Sequence, residues 1–414
     1  MLRLSPFHER VAAVNQTSLW SHWAGHLVVD KYQMSEKFEY FAVRNAVGLF
    51  DSSPLYKYRI VGPDAERYLS GVLARDPRPL QPGEAQYTIW CDDRGFVNED
   101  GVLFRFGPDE FLLTAAEPNL AYFANLIEGR AVEIHEVTEE IGSLALQGPR
   151  AYAVLSQLAP GLDTLRPFDH TRAEIGGAQV TVSRTGFTGD LGYEVFCDAR
   201  DANAVWDAVI AAGTPHGLLP IGQTALVMTR IEAGLLLVNV DFEVSRFAEN
   251  DEHRSTPDEL GLGWMLTGLD DDSRPFIGRR ALIAERSTGA SRWRMMGLLV
   301  DPFDYQRKFT EADMIPPKDH VPVYGDMMVY DDEVKRVGYA TSFMYSPVLQ
   351  RHIALARVRP DLAVTGTRVN LEFTINHRYV QVAADVVRNP VFRPARRSAL
   401  PGANNDHRTQ GAIA

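Results

Sequence analysis

Two carboxylates stand where the chain pattern aims them at something. Glu194 closes the stretch Ser-Arg-Thr-Gly-Phe-Thr-Gly-Asp-Leu-Gly-Tyr-Glu that begins at Ser183, and one ionised carboxylate can accept two neighbouring N–H donors as a bidentate pair. Gly186, Gly189 and Gly192 recur at every third position ahead of it, a spacing that lets the backbone turn tightly and lets a flat ligand reach main-chain atoms without meeting a Cβ. Asp100 ends Gly95-Phe-Val-Asn-Glu-Asp100 and precedes the apolar Val102-Leu-Phe. It reads as an acid aimed from a turn at whatever the following strand faces, suited to steadying positive charge or moving a proton. Asp93 and Glu99 offer the same chemistry beside it. For each acid a plainer reading stays open, a solvated carboxylate on a turn. A dinucleotide loop is excluded, because the G-x-G-x-x-G order is absent and nothing here opens a helix whose N-terminus would hold a phosphate.

Val180 and Val182 lead into the glycine-rich stretch and Val195 and Phe196 lead out of it, the alternation of a β-hairpin. Earlier, a strand over 55–61, the break Gly62-Pro63-Asp64 and a helix through Ala65, Tyr68, Leu69, Val72 and Leu73 form a unit. The unit returns as Leu144-Ala-Leu146, Gly148-Pro149 and a helix through Ala151, Val154, Leu155 and Leu158. Between the copies lie strands over 86–91, 102–106 and 111–115, a turn at 107–110 and a helix over 118–127. The second copy continues into the hairpin and a helix over 202–212 with Asp201 as its N-cap. The expected class is therefore α+β, with two related, interleaved α/β units over residues 1–285, each a sheet with helices on one face. Residues 268–273 and 285–293 read as surface linkers. Short strands spaced by turns over 294–392 predict a separate all-β barrel or jelly roll. The apolar-poor tail, 393–414, is expected to be disordered. Trp20, His22, Trp23 and Tyr32 are either core or one wall of a pocket, and the charge-rich 239–254 is either a lid hinged at Asp241 or a solvated insertion.

With 414 residues, 45% of them hydrophobic and 23% charged, the chain can bury a large core without covalent staples. A net charge of −12 with no basic stripe argues against a nucleic-acid partner. No run approaches the roughly 18 apolar residues of a membrane helix, so a cytoplasmic protein is expected. Cys91 and Cys197 read as small core residues, and the histidines show no metal-ligand spacing, so no metal is implied.

Arg184-Thr-Gly-Phe-Thr-Gly-Asp-Leu-Gly-Tyr-Glu194 resembles the R-T-G-Y-T-G-E-x-G-x-E signature of the glycine-cleavage T-protein family of folate-dependent aminomethyl and methyl transferases. Other matches follow in the family's order: Leu49-Phe-Asp-Ser-Ser53, Arg230-Ile-Glu-Ala-Gly234, Thr256-Pro-Asp-Glu-Leu-Gly-Leu-Gly-Trp264, Phe276-Ile-Gly-Arg-Arg-Ala-Leu282 and Gly338-Tyr-Ala-Thr-Ser342. Colinear short motifs are far more specific than any one of them. The resemblance implies tetrahydrofolate as cofactor, with Glu194 on the pterin edge and Asp100 as the catalytic acid beside the reacting nitrogen. It also implies cofactor contacts from Tyr193, Arg184, Arg230, Gly186 and Gly189. Three departures stand against it: Leu226-Val227 replaces the family's usual Arg-Asp pair, Ala116 replaces a common asparagine, and Pro394-Ala-Arg-Arg397 replaces an aromatic. Arg230-Ile-Glu-Ala-Gly-Leu-Leu236 is closer to the demethylase branch. The reading is an enzyme moving a methyl or aminomethyl carbon from a small methylated substrate to tetrahydrofolate. The rival is a folate-binding regulatory or repair protein of the same fold without turnover. A docking lipoyl carrier protein has no support in the sequence.

Overall fold

The computed structural model describes residues 2–317 and 320–401. Its first region is built on two facing sheets. One is antiparallel, in the order Ala85–Cys91, Val97–Gly107, Glu110–Ala115, Tyr56–Val61, Glu133–Glu136. The other runs His170–Ile175, Ala178–Ser183, Gly192–Asp198, Ile141–Gln147, Val47–Asp51, Leu218–Pro220, with only the last pair parallel. Period-two alternation gives each sheet two apolar faces of different use. On the first sheet Tyr58, Ile60, Trp90 and Leu113 pack outward under helix Ala65–Val72 and Phe123 of helix Leu120–Asn125. On the second, Leu49, Leu144, Tyr193 and Val195 pack outward under helices Ala151–Leu158 and Ala202–Gly213. The inner faces meet at one end, where the Phe104 and Phe196 rings lie edge to face at 5.3 Å.

The C-terminal region is a closed six-stranded barrel, in the order Arg294–Val300, Arg351–Val358, Arg336–Ser346, Val323–Tyr330, Arg368–Ile375, Arg378–Val387. Closure removes sheet edges. Helix Pro302–Glu311, which the turn-and-strand pattern did not announce, packs Tyr305 and Phe309 into the barrel core. It starts where Asp301 accepts from the backbone N–H of Phe303 and Asp304. The barrel shares a core with the first region: Met344, Ile353 and Leu355 pack with Ile231, Phe242 and Val244.

Four local expectations are corrected. Residues 285–288 belong to helix Arg279–Thr288, and Gly289, at φ +64°, is its left-handed C-cap rather than part of a linker. Asp201 makes no capping bond, because a 3-10 turn, Ala199–Asp201, runs straight into the helix and Asp198 accepts from Arg200 N instead. Asp100 lies inside strand Val97–Gly107, not on a turn. Within the described part of the tail, residues 393–401, a 3-10 turn at Ala395–Arg397 docks on the first region, where Arg396 holds Asp190 at 2.6 and 2.7 Å. Residues 402–414 lie outside the described residues.

Candidate active site between the sheets

Strand alternation separates the adjacent acids. Glu99 sits opposite Trp90, on the outward face, and Asp100 opposite Ile89, on the inward one. Glu99 is fully buried and accepts from Ala116 N at 2.5 Å, Glu117 N at 2.9 Å and Asn119 Nδ2 at 2.5 Å. Burial, with Asp100 next to it, pushes its carboxyl up to about 8; it fastens the 116–119 loop. Asp93 is exposed. Asp100 keeps accessible surface, and the Tyr87 hydroxyl donates to its Oδ2. Burial pushes the Asp100 carboxyl up to about 6, against the pull of Tyr87 and a backbone N–H, with the Asp241 charge adding to the rise.

Glu194 faces inward from the other sheet, opposite Ala145 and Ser183, and it too keeps accessible surface. Thr185 donates to its Oε2, and Oε1 has no partner among the described residues. Burial raises its carboxyl while Thr185 and Lys57 lower it. Apolar side chains of intermediate exposure border the central core: Trp23, whose ring lies 6.0 Å from Phe50, with Phe187, Leu349 and Val391. Of the N-terminal aromatics, Trp23 thus borders the site region, while Tyr32 is core and Trp20 packs against that core. Two inward carboxylates on opposed sheets suit a ligand that carries N–H donors along one edge.

The remaining expected residues are placed elsewhere. Tyr193 points to the outer face, fully buried and with no hydroxyl partner among the described residues, because it alternates with Glu194. The Arg184 guanidinium donates to the carbonyls of Leu165 at 2.8 Å, Arg397 at 3.3 Å and Ala399 at 2.5 Å, so it pins the C-terminal segment. Arg230 is fully buried and paired with Asp241 at 2.5 Å and Ser342 Oγ at 2.8 Å. Asp241 also accepts from Thr341 and Ser342, and its carbonyl from Arg357 at 2.6 Å. This joint locks helix Gln223–Glu232 to the barrel. Leu226 and Val227, where the family's anchor pair would stand, are core.

The glycines serve packing. A Cβ at Gly186 or Gly192 would lie 2.1 Å from the buried Gln147 side chain, and one at Gly189, where φ is +71°, 2.5 Å from Ala233 Cβ. Gln147 holds the loop through the carbonyls of Thr185 at 3.2 Å and Tyr193 at 3.3 Å and the hydroxyl of Thr188 at 2.9 Å. Gly192→Ala should therefore destabilise the fold by about 1–3 kcal/mol, as overpacking does. Denaturant unfolding checks this; unchanged stability with weakened ligand binding would restore the ligand-approach reading.

Residues 239–254 are docked. Val97 exchanges backbone bonds with Ser245 and Ser255 at 3.1 and 2.8 Å, Arg246 donates to Asn119 Oδ1 at 2.6 Å, and Phe242 and Val244 are core. Tyr87 and Lys57 escaped the sequence reading, since only cross-strand register reveals that they share the inner face with Asp100. Cys91 and Cys197 are buried and unpaired. No helix among the described residues is long and apolar enough to cross a membrane.

Comparison with known proteins agrees with this architecture. Residues 10–268 match the GCVT N-terminal domain, and 307–392 the glycine cleavage T-protein C-terminal barrel domain. The chain is 33% identical to an aminomethyltransferase of Geobacillus kaustophilus, over 87% of this chain and 92% of that protein. It is 30% identical to the heme-dependent oxidative N-demethylase gamma subunit of Ectopseudomonas mendocina, over 90% and 93%. A trimethylamine-oxide aldolase of Ruegeria pomeroyi matches at 32% identity over 90% of this chain but 45% of its own length. In fold, the solved aminomethyltransferase T of Bartonella henselae superposes with a TM-score of 0.79 at 23% identity, covering 95% of this chain and 99% of that one. Facing sheets, a closed barrel and family matches across both regions lead to one conclusion: the chain belongs to the glycine cleavage T-protein family.

Proposed function

We infer that this protein moves a one-carbon unit, methyl or aminomethyl, from a small donor to tetrahydrofolate, as a demethylase or an aminomethyltransferase. The observation that carries this is the pair of accessible carboxylates, Asp100 backed by Tyr87 and Glu194 backed by Thr185, set on the inward faces of opposed sheets. The residues fit a reduced pterin. Glu194 offers an acceptor for a ring N–H and exocyclic amino group, and the half-buried Trp23 and Phe187 offer apolar surface to a ring. When bound, tetrahydrofolate supplies the nitrogen that receives the carbon. Asp100 places negative charge where cationic character develops, or takes up a proton there, and the Tyr87 hydroxyl fixes its orientation. The partial burial of both acids strengthens their action.

The experiment is to incubate purified protein with reduced folate and a panel of N-, S- and O-methylated donors and to identify the folate product. A methyl- or methylene-tetrahydrofolate names the branch. Folate binding with no turnover on any donor would favour the non-catalytic rival, to which the loss of an anchor pair at Leu226-Val227 lends support. Glu194→Gln should weaken reduced-folate binding by about 1.5–3 kcal/mol, the worth of a hydrogen bond to a charged group, without unfolding the chain. Unchanged calorimetric affinity would remove Glu194 from the site.

A further inference from the structure

Lys57 has no accessible surface. It stands on strand Tyr56–Val61 opposite Thr114, and alternation with the outward Tyr58 turns it toward the six-stranded sheet. Its Nζ donates to the carbonyls of Ser53 at 2.8 Å and Leu55 at 2.9 Å. Against that burial the charges of Asp51 and, after it, Glu194 favour its protonated form. A buried ammonium is costly unless negative charge answers it. Asp51 already accepts from Ser5 at 2.5 Å and from Ser53 N at 3.0 Å. Glu194 has a single hydroxyl partner, Thr185, and among the described residues Lys57 is the cation that acts on it.

Resting on the folate reading of Glu194, we propose that Lys57 is its positioning residue: a fixed counter-charge on the opposite sheet that keeps this carboxylate ionised and able to accept from a ligand. A deep-set carboxylate left alone takes up a proton, and the protonated acid would meet a ligand's N–H donors with a donor of its own. Burial brings Lys57 down to about 8, so it still carries charge at neutral pH. Thr185 meets Glu194 from its own loop, and Lys57 stands on the inward face of the opposed sheet, with Asp51 the other carboxylate whose charge acts on the lysine.

The test compares wild type with Lys57→Met by difference infrared spectroscopy of the ligand-free protein, the Glu194 band being assigned by its loss in Glu194→Gln. Glu194 should be ionised at about pH 7 in wild type and protonated in Lys57→Met. In calorimetry with folinate, the affinity of Lys57→Met should fall about tenfold per pH unit below the raised value, while wild type stays level. Equal titration of Glu194 in both proteins overturns the proposal. Should Lys57→Met fail to fold, Lys57→Gln and Lys57→Arg take its place: Glu194 protonated at neutral pH in the first and ionised in the second upholds the proposal, and Glu194 titrating alike in both overturns it, as does a Glu194 protonated at neutral pH in wild type. Failure of wild type to bind folinate would sink the folate reading, and the infrared comparison would still judge the Lys57–Glu194 link.

Discussion

Asp100→Asn should lower turnover by about two orders of magnitude or more while leaving reduced-folate affinity nearly unchanged, as expected for a lost electrostatic or acid–base group. Asparagine keeps the shape and can still accept from Tyr87, so what is removed is the charge. Loss of turnover and affinity together would make Asp100 a cofactor ligand and leave positioning to carry the chemistry. The carboxyl sits at about 6 because it is buried, which sets two pH signatures. Activity that needs the carboxylate should rise with pH through an apparent value near 6 in kcat/KM, and this limb should vanish in Asp100→Asn. A carboxyl raised above its unfolded value holds its proton longer in the folded state, so the stability of wild type falls as pH rises from the ordinary carboxylate range to about 6. Above that, Asp100→Asn should melt at a higher temperature than wild type. A solvated turn acid would show neither effect.

Arg230→Met should cost about 3–5 kcal/mol of stability, because it leaves Asp241 buried and charged without its cation. The double variant Arg230→Met with Asp241→Leu should regain much of the loss, since removing both charges also removes their desolvation. Urea unfolding of the single and double variants measures this. A single variant that unfolds like wild type but binds folate poorly would instead return Arg230 to the cofactor.

The strands, the two-unit order and the barrel were legible because their alternation and Gly-Pro breaks are local. Asp100 and Glu194 stood out in the sequence because they end recognisable motifs, and strand register puts both on inward faces. What failed was orientation. Tyr193 differs from Glu194 by one position, and only pairing with Leu146 and Ala145 shows that it faces the helices. Tyr87 and Lys57 lie on strands whose register with Val97–Gly107 and Glu110–Ala115 no local pattern states. Gly186 and Gly192 were read for what they permit on the open side, whereas Gln147, far off in sequence, fills that side. Arg396, and one end of the Arg184 guanidinium, are spent on partners that lie more than two hundred residues away.

That last contact bears on how the protein comes into being. Asp190 is set in the glycine-rich loop with a fully buried side chain, and its bidentate partner Arg396 lies 206 residues further along. Arg44, stacked on Phe392 with 4.2 Å from guanidinium to ring centre, and Arg184, on the carbonyls of Arg397 and Ala399, wait for the same segment. A chain leaving the ribosome in order therefore presents the signature loop early, its acid within 3.6 Å of Arg44 but still without Arg396, through the synthesis of the whole barrel. The loop next to Glu194 gains its final geometry only when the segment past the barrel has emerged and folded back, so the nascent protein passes through a long interval as a folded body without a finished site.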